Sequence, residues 1–184
     1  MERPDMPVQK AARGLAGIFA AAMLMATFST GSTSGQSLPA VRIVTGESGL
    51  PVPRFVSLAT DKANLRTGPG GRYPILWVYV RRNLPLEVTA EYGVWRRVRD
   101  MDGAVGWMHG RLLSGRRSAI VTGSIRVLRA KPDAAARPLL RLQPGVLAKV
   151  HGCESAWCRI DVRGKKGWLR RESLWGTFAG KKIE

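Results

Sequence analysis

Two stretches of this 184-residue chain end in the same way. Residues 102–113 read DGAVGWMHGRLL and residues 163–174 read RGKKGWLRRESL. Each has a glycine, a tryptophan, an apolar residue, a polar stretch and a leucine. The doubling extends upstream. ANLRTGPG (63–70) meets RVLRAKPD (126–133), with Leu65, Arg66 and Pro69 recurring 63 residues later as Leu128, Arg129 and Pro132. LPLEVTAEYGVWRRV (84–98) meets VLAKVHGCESAWCRI (146–160), where Val88, Trp95 and Val98 recur 62 residues later as Val150, Trp157 and Ile160. Gly106, Trp107 and Leu113 recur 61 residues later as Gly167, Trp168 and Leu174. Landmarks in one order, drifting by a residue at a time, define an internal repeat. Two copies are too few for a solenoid, so each has to be nearly self-sufficient. Domains of about 60 residues bury only about 60% of the surface their unfolded chains expose, and the two copies are therefore expected to pack together.

Within each copy the apolar residues alternate over short runs broken by Gly, Pro, Asn and Asp, and no window carries a helical stripe. This predicts an all-β chain of short strands. Residues 55–121 are assigned to the first barrel and 122–178 to the second. RRSAIV (116–121) is read as the last strand of the first copy, and TGS after it as the whole linker. In PLEVTAEYGVWRRVRD two alternating runs flank Tyr92-Gly93, a hairpin with glycine in its turn. Val98 in one copy, and Cys158, Ile160 and Val162 in the other, fall on the core face. Trp95, Arg97 and Arg99, and Trp157, Arg159 and Asp161, fall on the opposite face. Gly106 and Gly167 sit inside strands, where glycine marks a bulge or a close backbone approach.

The chain carries 30 Lys+Arg against 13 Asp+Glu, a net charge of +17. Such a surface attracts polyanions, and salt weakens the attraction. Residues 1–35 run from a basic segment through an uncharged apolar stretch (15–28) to small polar residues. That order is expected of a signal peptide, with an uncleaved amphipathic anchor as the alternative. The apolar stretch is shorter than the ~20 residues of a membrane span, so no span is expected in the mature form. The remainder keeps 27 basic and 11 acidic residues, a charge of +16. Residues 36–54, with three prolines, are read as a linker, and 179–184 as a tail. Export, to a periplasm or cell envelope, makes nucleic acid a poor natural partner and permits disulfides.

The only cysteines, Cys153 and Cys158, lie together in CESAWC and are read as one disulfide. A pair of buried thiols stays open. So does a metal site shared with His151, although it lacks a fourth ligand and matches no common zinc spacing. The cysteines align with Glu91 and Arg96 of the first copy; if these positions face each other across the hairpin, one copy is stapled covalently and the other pairs opposite charges. A disulfide closing so short a loop is worth roughly 2 kcal/mol, and an exposed ion pair about 0–1 kcal/mol. The second copy is thus expected to depend on its staple more than the first on its ion pair.

NLRTGPG, LPLEV, GVW, GWMHGRLL and SGRRSAIV together resemble the bacterial Src-homology-3-like (SH3-like) domain of exported proteins, and the copy with WC and GWLRRESLWG resembles a second, more divergent one. The resemblance covers about residues 55–178. It implies two tandem barrels of five or six strands and a binding role without catalysis, with peptidoglycan or peptides as ligands. Residues matching the aromatic groove of the wider SH3 family are Trp95, Trp107, His109 and Leu112, then Trp157, Trp168, Arg170 and Ser173 or Leu174. Arg66 is a candidate for holding loop carbonyls or an acidic ligand, and Arg97 lies on the charged face beside Trp95. The groove proline is replaced by His109 or Arg170, and the acidic cluster that reads basic peptides is missing. An acidic or anionic ligand fits this charge better. The alternative for every tryptophan is packing, since aromatics bury large area.

No nucleophile elbow, P-loop or His-Glu-x-x-His occurs, and Asp100, Asp102, Glu154 and Asp161 fall in or beside expected hairpin turns. No catalytic residue, cofactor or metal is assigned. The expected function is binding of peptidoglycan, wall peptide or another anionic envelope polymer. The rivals are a structural contact with an envelope protein, and charge-driven attachment to lipopolysaccharide or anionic lipid.

Overall fold

A computed structural model describes residues 42–178. The signal peptide expected over 1–35 and the tail 179–184 lie outside the described residues. The described chain is all-β, relieved only by two 3-10 turns, at Gly110–Leu112 and Arg171–Ser173. Among the described residues no helix is long and apolar enough to cross a membrane.

The described chain opens with β1 (Val44–Thr45) and β2 (Pro51–Val52), a two-stranded antiparallel ribbon. The first barrel follows as β3 (Arg54–Leu58), β4 (Ala63–Arg66), β5 (Ile75–Tyr79), β6 (Pro85–Tyr92), β7 (Trp95–Arg99), β8 (Val105–His109) and β9 (Leu113–Ser114). The second comprises β10 (Ser118–Val121), β11 (Arg126–Arg129), β12 (Pro138–Leu142), β13 (Leu147–Glu154), β14 (Trp157–Val162), β15 (Lys165–Arg170) and β16 (Leu174–Trp175). The two sheets have the same order, β5-β4-β8-β7-β6-β3-β9 and β12-β11-β15-β14-β13-β10-β16. Each has seven strands where five or six were expected. The surplus comes from the two-residue strands β9 and β16, which pair with the strand that opens each copy.

That opening strand corrects the expected boundary. Residues 116–121, expected to close the first barrel, instead begin the second. Ser118–Val121 pairs with β13 and β16, and Ala119 and Val121 are fully buried in the second core. Its counterpart in the first copy is Arg54–Leu58, which pairs with β6 and β9 in the same way. The connection is therefore residues 115–117, and Thr122-Gly123-Ser124 lies inside the second copy. Residues 42–54 are also more than a linker. The β1–β2 ribbon docks on the first hairpin: Glu47 accepts from the Gly93 N–H at 2.6 Å, and Ser48 donates to Glu91 through both its N–H (2.7 Å) and its hydroxyl (2.8 Å).

Strand alternation sorts the side chains as expected. Leu58, Leu65, Leu86, Val88, Val98 and Met108 fill the first core; Leu128, Cys153, Cys158, Ile160 and Leu169 fill the second. Gly93 turns the first hairpin at φ 50°, and Ser155 holds the same place in the second at φ 46°. Gly106 and Gly167 mark close approaches rather than bulges. A Cβ on Gly106 would lie 2.7 Å from the Arg66 carbonyl oxygen, and one on Gly167 2.8 Å from that of Arg129. These glycines let β8 cross β4, and β15 cross β11.

The barrels meet along a seam. Phe55 packs edge-on against Trp175, with centroids 5.2 Å apart, and against Phe178 at 4.6 Å. The Ser57 and Ser118 hydroxyls share a buried 2.5 Å hydrogen bond, and Arg81 donates to the Gly145 carbonyl at 2.9 Å.

Cys153 and Cys158 are cross-strand neighbours joined as a disulfide, so their sulfurs do not serve as free thiols or metal ligands. Glu91 and Arg96 are the matching pair, 3.1 Å apart. The Cys153→Ser, Cys158→Ser double variant is expected to lose roughly 2 kcal/mol of second-barrel stability. Urea melts of parent and variant, followed by the near-ultraviolet signal, check this; a loss under about 0.5 kcal/mol contradicts it.

Candidate functional site

The outer face of β4, β8 and β7 gathers the residues singled out in the first copy. Trp95 stands opposite His109 across the β7–β8 ladder, and Arg97 opposite Trp107. Arg66 stands opposite Trp107 on the other side. An arginine–tryptophan–arginine row thus crosses three strands. The second copy repeats it with Arg159, Trp168 and Arg129, and sets Trp157 opposite Arg170. All four tryptophans are half-buried, neither core nor fully free.

Arg66 owes its position to the loop that follows it. Its guanidinium donates to the Tyr73 carbonyl at 2.7 Å, and Arg129 makes the equivalent bond to Ala136 at 2.8 Å. The loop-carbonyl role is thus realised in both copies, and it fixes the cation beside the tryptophan row.

The two copies differ at the first tryptophan. Trp95 meets the His109 ring edge-on, with centroids 5.4 Å apart. Trp157 is instead covered by the Arg170 guanidinium, 4.6 Å from its ring centroid. A cation held over an aromatic face gains from the ring quadrupole and occupies the surface that a stacking ligand would need. The His109 Nδ1 accepts the Arg111 N–H at 3.2 Å.

A cleft of about 460 Å³ opens beside Trp95 and His109, bounded also by Arg66, Lys62, Arg111 and Asn64. No carboxylate lines it. Trp107 and Arg97 remain on the open sheet outside this cleft. In the second copy Trp157, Trp168 and Arg170 hold the matching strand positions.

A second hollow, of about 500 Å³, lies at the barrel seam and is not among the binding surfaces expected from the sequence, which places Arg96 only in an ion pair with Glu91. Arg54, Phe55, Arg96, Leu113, Thr177 and Phe178 contribute to its walls. Arg54 and Arg96 converge on Glu91, at 2.7 and 3.1 Å, and the carboxylate side chain is only 1% exposed. Burial alone would raise the Glu91 pKa. The Ser48 N–H and hydroxyl and the Arg54 guanidinium outweigh that effect and hold it down to about 2. The expected exposed ion pair is therefore a buried carboxylate that accepts three hydrogen bonds, two from Ser48 and one from Arg54, beside the Arg96 guanidinium, because the ribbon and β3 supply partners that the hairpin alone lacks.

Two of the acids expected in turns, Asp100 and Asp161, are engaged there. Asp100 accepts the Asp102 and Ala104 N–H groups at 3.1 and 2.8 Å and the Tyr79 hydroxyl at 2.7 Å. Burial, with the Asp100 hydrogen bond and charge, pushes the Tyr79 phenol above its ordinary value. Asp161 accepts the Gly164 N–H at 2.7 Å.

The chain is similar to several known proteins. The chain is 25% identical over 127 residues to YrvJ of Bacillus subtilis (strain 168), named as an N-acetylmuramoyl-L-alanine amidase, a match covering 62% of this chain and 24% of that protein. It therefore spans about a quarter of that relative's length. Among solved structures it is similar to NlpC2 from Trichomonas vaginalis, with 11% identity and a TM-score of 0.33, covering 68% of this chain and 49% of that one. It is also similar to an NlpC/P60 family protein from Bacillus cereus ATCC 10987, with 13% identity and a TM-score of 0.30, covering 71% and 58%. The sequence profile of the bacterial SH3 domain matches residues 59–115 and again 123–176. Those two segments hold more than half of the residues, and the chain belongs to the bacterial SH3 domain family.

Proposed function

We propose that this protein is a non-catalytic binding module of the cell envelope that holds carboxylate-bearing wall peptide, with the first barrel as the binding copy. The cleft beside Trp95 carries the proposal: an aromatic face not covered by the protein's own cation, ringed by Arg66, Lys62 and Arg111 and by no carboxylate. An apolar wall with a few placed polar groups suits a small peptide. Fixed guanidinium donors suit its carboxylates. The amidase name of YrvJ supports the substrate class, since the bond in that name joins a muramic-acid sugar to a peptide. The absence of catalysis is supported by the use of Asp100 and Asp161 in turns and of both cysteines in a disulfide.

Binding of the purified chain to insoluble wall sacculi, across a salt series, tests this. Trp95→Ala is expected to weaken binding about tenfold, the equivalent of a lost aromatic contact. Trp157→Ala, whose ring is already covered by Arg170, is expected to change it less than about twofold. Binding that ignores Trp95→Ala and vanishes as salt rises is attraction by charge alone and overturns the proposal. So does an absence of binding at every salt concentration.

A further inference from the structure

We propose that β5, the outer strand of the first barrel, is a docking edge for an extended segment of a partner protein, apolar in its middle and acidic at both ends. β5 ends its sheet and, among the described strands, pairs only with β4. Alternate N–H and C=O groups of such a strand face outward without a ladder partner, a template for a further strand. Its residues Ile75-Leu76-Trp77-Val78-Tyr79 include no charge. Ile75, Leu76 and Trp77 are 49%, 52% and 60% exposed, and Val80 beyond them is 75% exposed.

Proteins normally blunt such edges with proline or charge. This chain contains its own comparison. In the second barrel β12 holds the same place, with the same register shift against its neighbour. Matching the two registers sets Pro138 where the first copy has Ile75, and Arg141 where it has Val78. Leu139 and Leu140 there pack against the core instead of standing clear. The fold thus accommodates a blunted edge, and carries one in only one of its two copies.

Charge selects the occupant. Arg72 precedes the strand and Arg81 and Arg82 follow it, all three exposed. A second copy of β5 laid antiparallel would bring Arg72 against that arginine pair at both ends, and like charges across a ladder destabilise it. A strand with acidic ends meets opposite charge at both. Asp61, 3.3 Å from Arg82, shows that a carboxylate is accommodated there. No residue of the Trp95 cleft lies on β5, so this proposal and the wall-peptide reading stand or fall separately.

The test uses the full chain, labelled for amide NMR, and a synthetic peptide, Asp-Glu-Val-Thr-Val-Thr-Val-Glu-Asp. Saturable shifts are expected over residues 75–79 and their β4 partners. Val78→Arg is expected to weaken binding about tenfold, although it adds a positive charge. The substitution installs what β12 already carries, so the barrel tolerates it, and circular dichroism verifies the fold. Trp77→Ser, at an exposed position, is expected to weaken binding in the same direction. A peptide N-methylated at alternate amides, or one with lysine in place of its acidic residues, is expected to bind at least several-fold more weakly. Unchanged or tighter binding by Val78→Arg, equal binding of the lysine peptide, or shifts confined to other strands would each overturn the proposal. So would a concentration-dependent dimer of the chain that Val78→Arg abolishes, since the occupant would then be a second copy.

Discussion

Replacing Glu91 with alanine is expected to cost the first barrel about 3–5 kcal/mol, the range for breaking a buried ion pair by removing one partner. Arg54 and Arg96 are only 14% and 15% exposed, and without the carboxylate two guanidinium groups stay half-sequestered with no counter-charge. Ser48 loses its acceptor as well, so the β1–β2 ribbon is expected to come away from the hairpin. A domain of about 60 residues is stable by roughly 3–9 kcal/mol in total, and the loss consumes much of that. It exceeds the roughly 2 kcal/mol of the Cys153–Cys158 staple. This reverses the order expected from an exposed ion pair. The same group makes stability depend on pH. Its folded pKa, about 2, lies below its ordinary 4.5. Its contribution is therefore full above pH 4.5 and is lost as pH falls from there towards 2, about 3 kcal/mol in all. Urea melts at pH 7 and pH 3 are expected to show about 2 kcal/mol of that loss in the parent and a flatter dependence in Glu91→Ala. A variant with the parental slope, or a cost at pH 7 below that of the disulfide variant, contradicts this account.

The parts of the molecule that are legible in the sequence are those written locally. Alternation around Tyr92-Gly93 places Val98 inside and Trp95 outside, and the repeat carries the same assignment to Ile160 and Trp157. Alignment of Cys153 and Cys158 with Glu91 and Arg96 sets the two pairs at matching hairpin positions, and the ladders make both of them cross-strand neighbours. For Arg66 the turn-rich NLRTGPG points to loop carbonyls or an acidic ligand, and the Tyr73 carbonyl realises the first. What stays hidden depends on contacts between distant segments. Ser48 and Glu91 are 43 residues apart, and nothing near Glu91 announces that it will be buried. Phe55 meets Trp175 and Phe178 across the seam, and an alternation pattern says nothing about which chain segments lie opposite. The strand Ser118–Val121, expected to close the first barrel, opens the second, and the reason is related. A short apolar run carries its period but not its partner, and only the match of its register to that of Arg54–Leu58 shows that it opens a copy. The charge on the Trp157 face was visible as Arg170, but not that its guanidinium would settle on the ring.

The glycine of each Gly-Trp pair is expected to be the least replaceable residue of its barrel outside the apolar core. A Cβ at Gly106 would stand 2.7 Å from both the Arg66 carbonyl oxygen and the Leu65 Cγ. One at Gly167 would stand 2.6 Å from the Leu128 Cγ and 2.8 Å from the Arg129 carbonyl. The obstruction is backbone of the crossing strand and a fully buried leucine, neither of which has room to swing aside. Relief requires β8 to move away from β4, giving up the Arg66–Trp107 bridge and with it the cation that flanks the tryptophan row. Gly106→Ala is accordingly expected to cost roughly 3 kcal/mol, the upper end of ordinary overpacking, and Gly167→Ala a similar amount. Gly71→Ala supplies the contrast: nothing lies within 4 Å of its Cβ, and alanine is expected to be neutral or to stabilise by up to about 1 kcal/mol by restricting the unfolded chain. Chemical melts of the three variants check the order, and a Gly106→Ala protein within about 0.5 kcal/mol of the parent contradicts it. The double variant then probes the seam. The two glycines sit in separate barrels with no shared partner, so their costs are expected to add within about 0.5 kcal/mol. A larger departure from additivity would mean that disturbance of one Gly-Trp crossing is carried through Phe55 and Trp175 to the other, and that the two copies unfold as one unit.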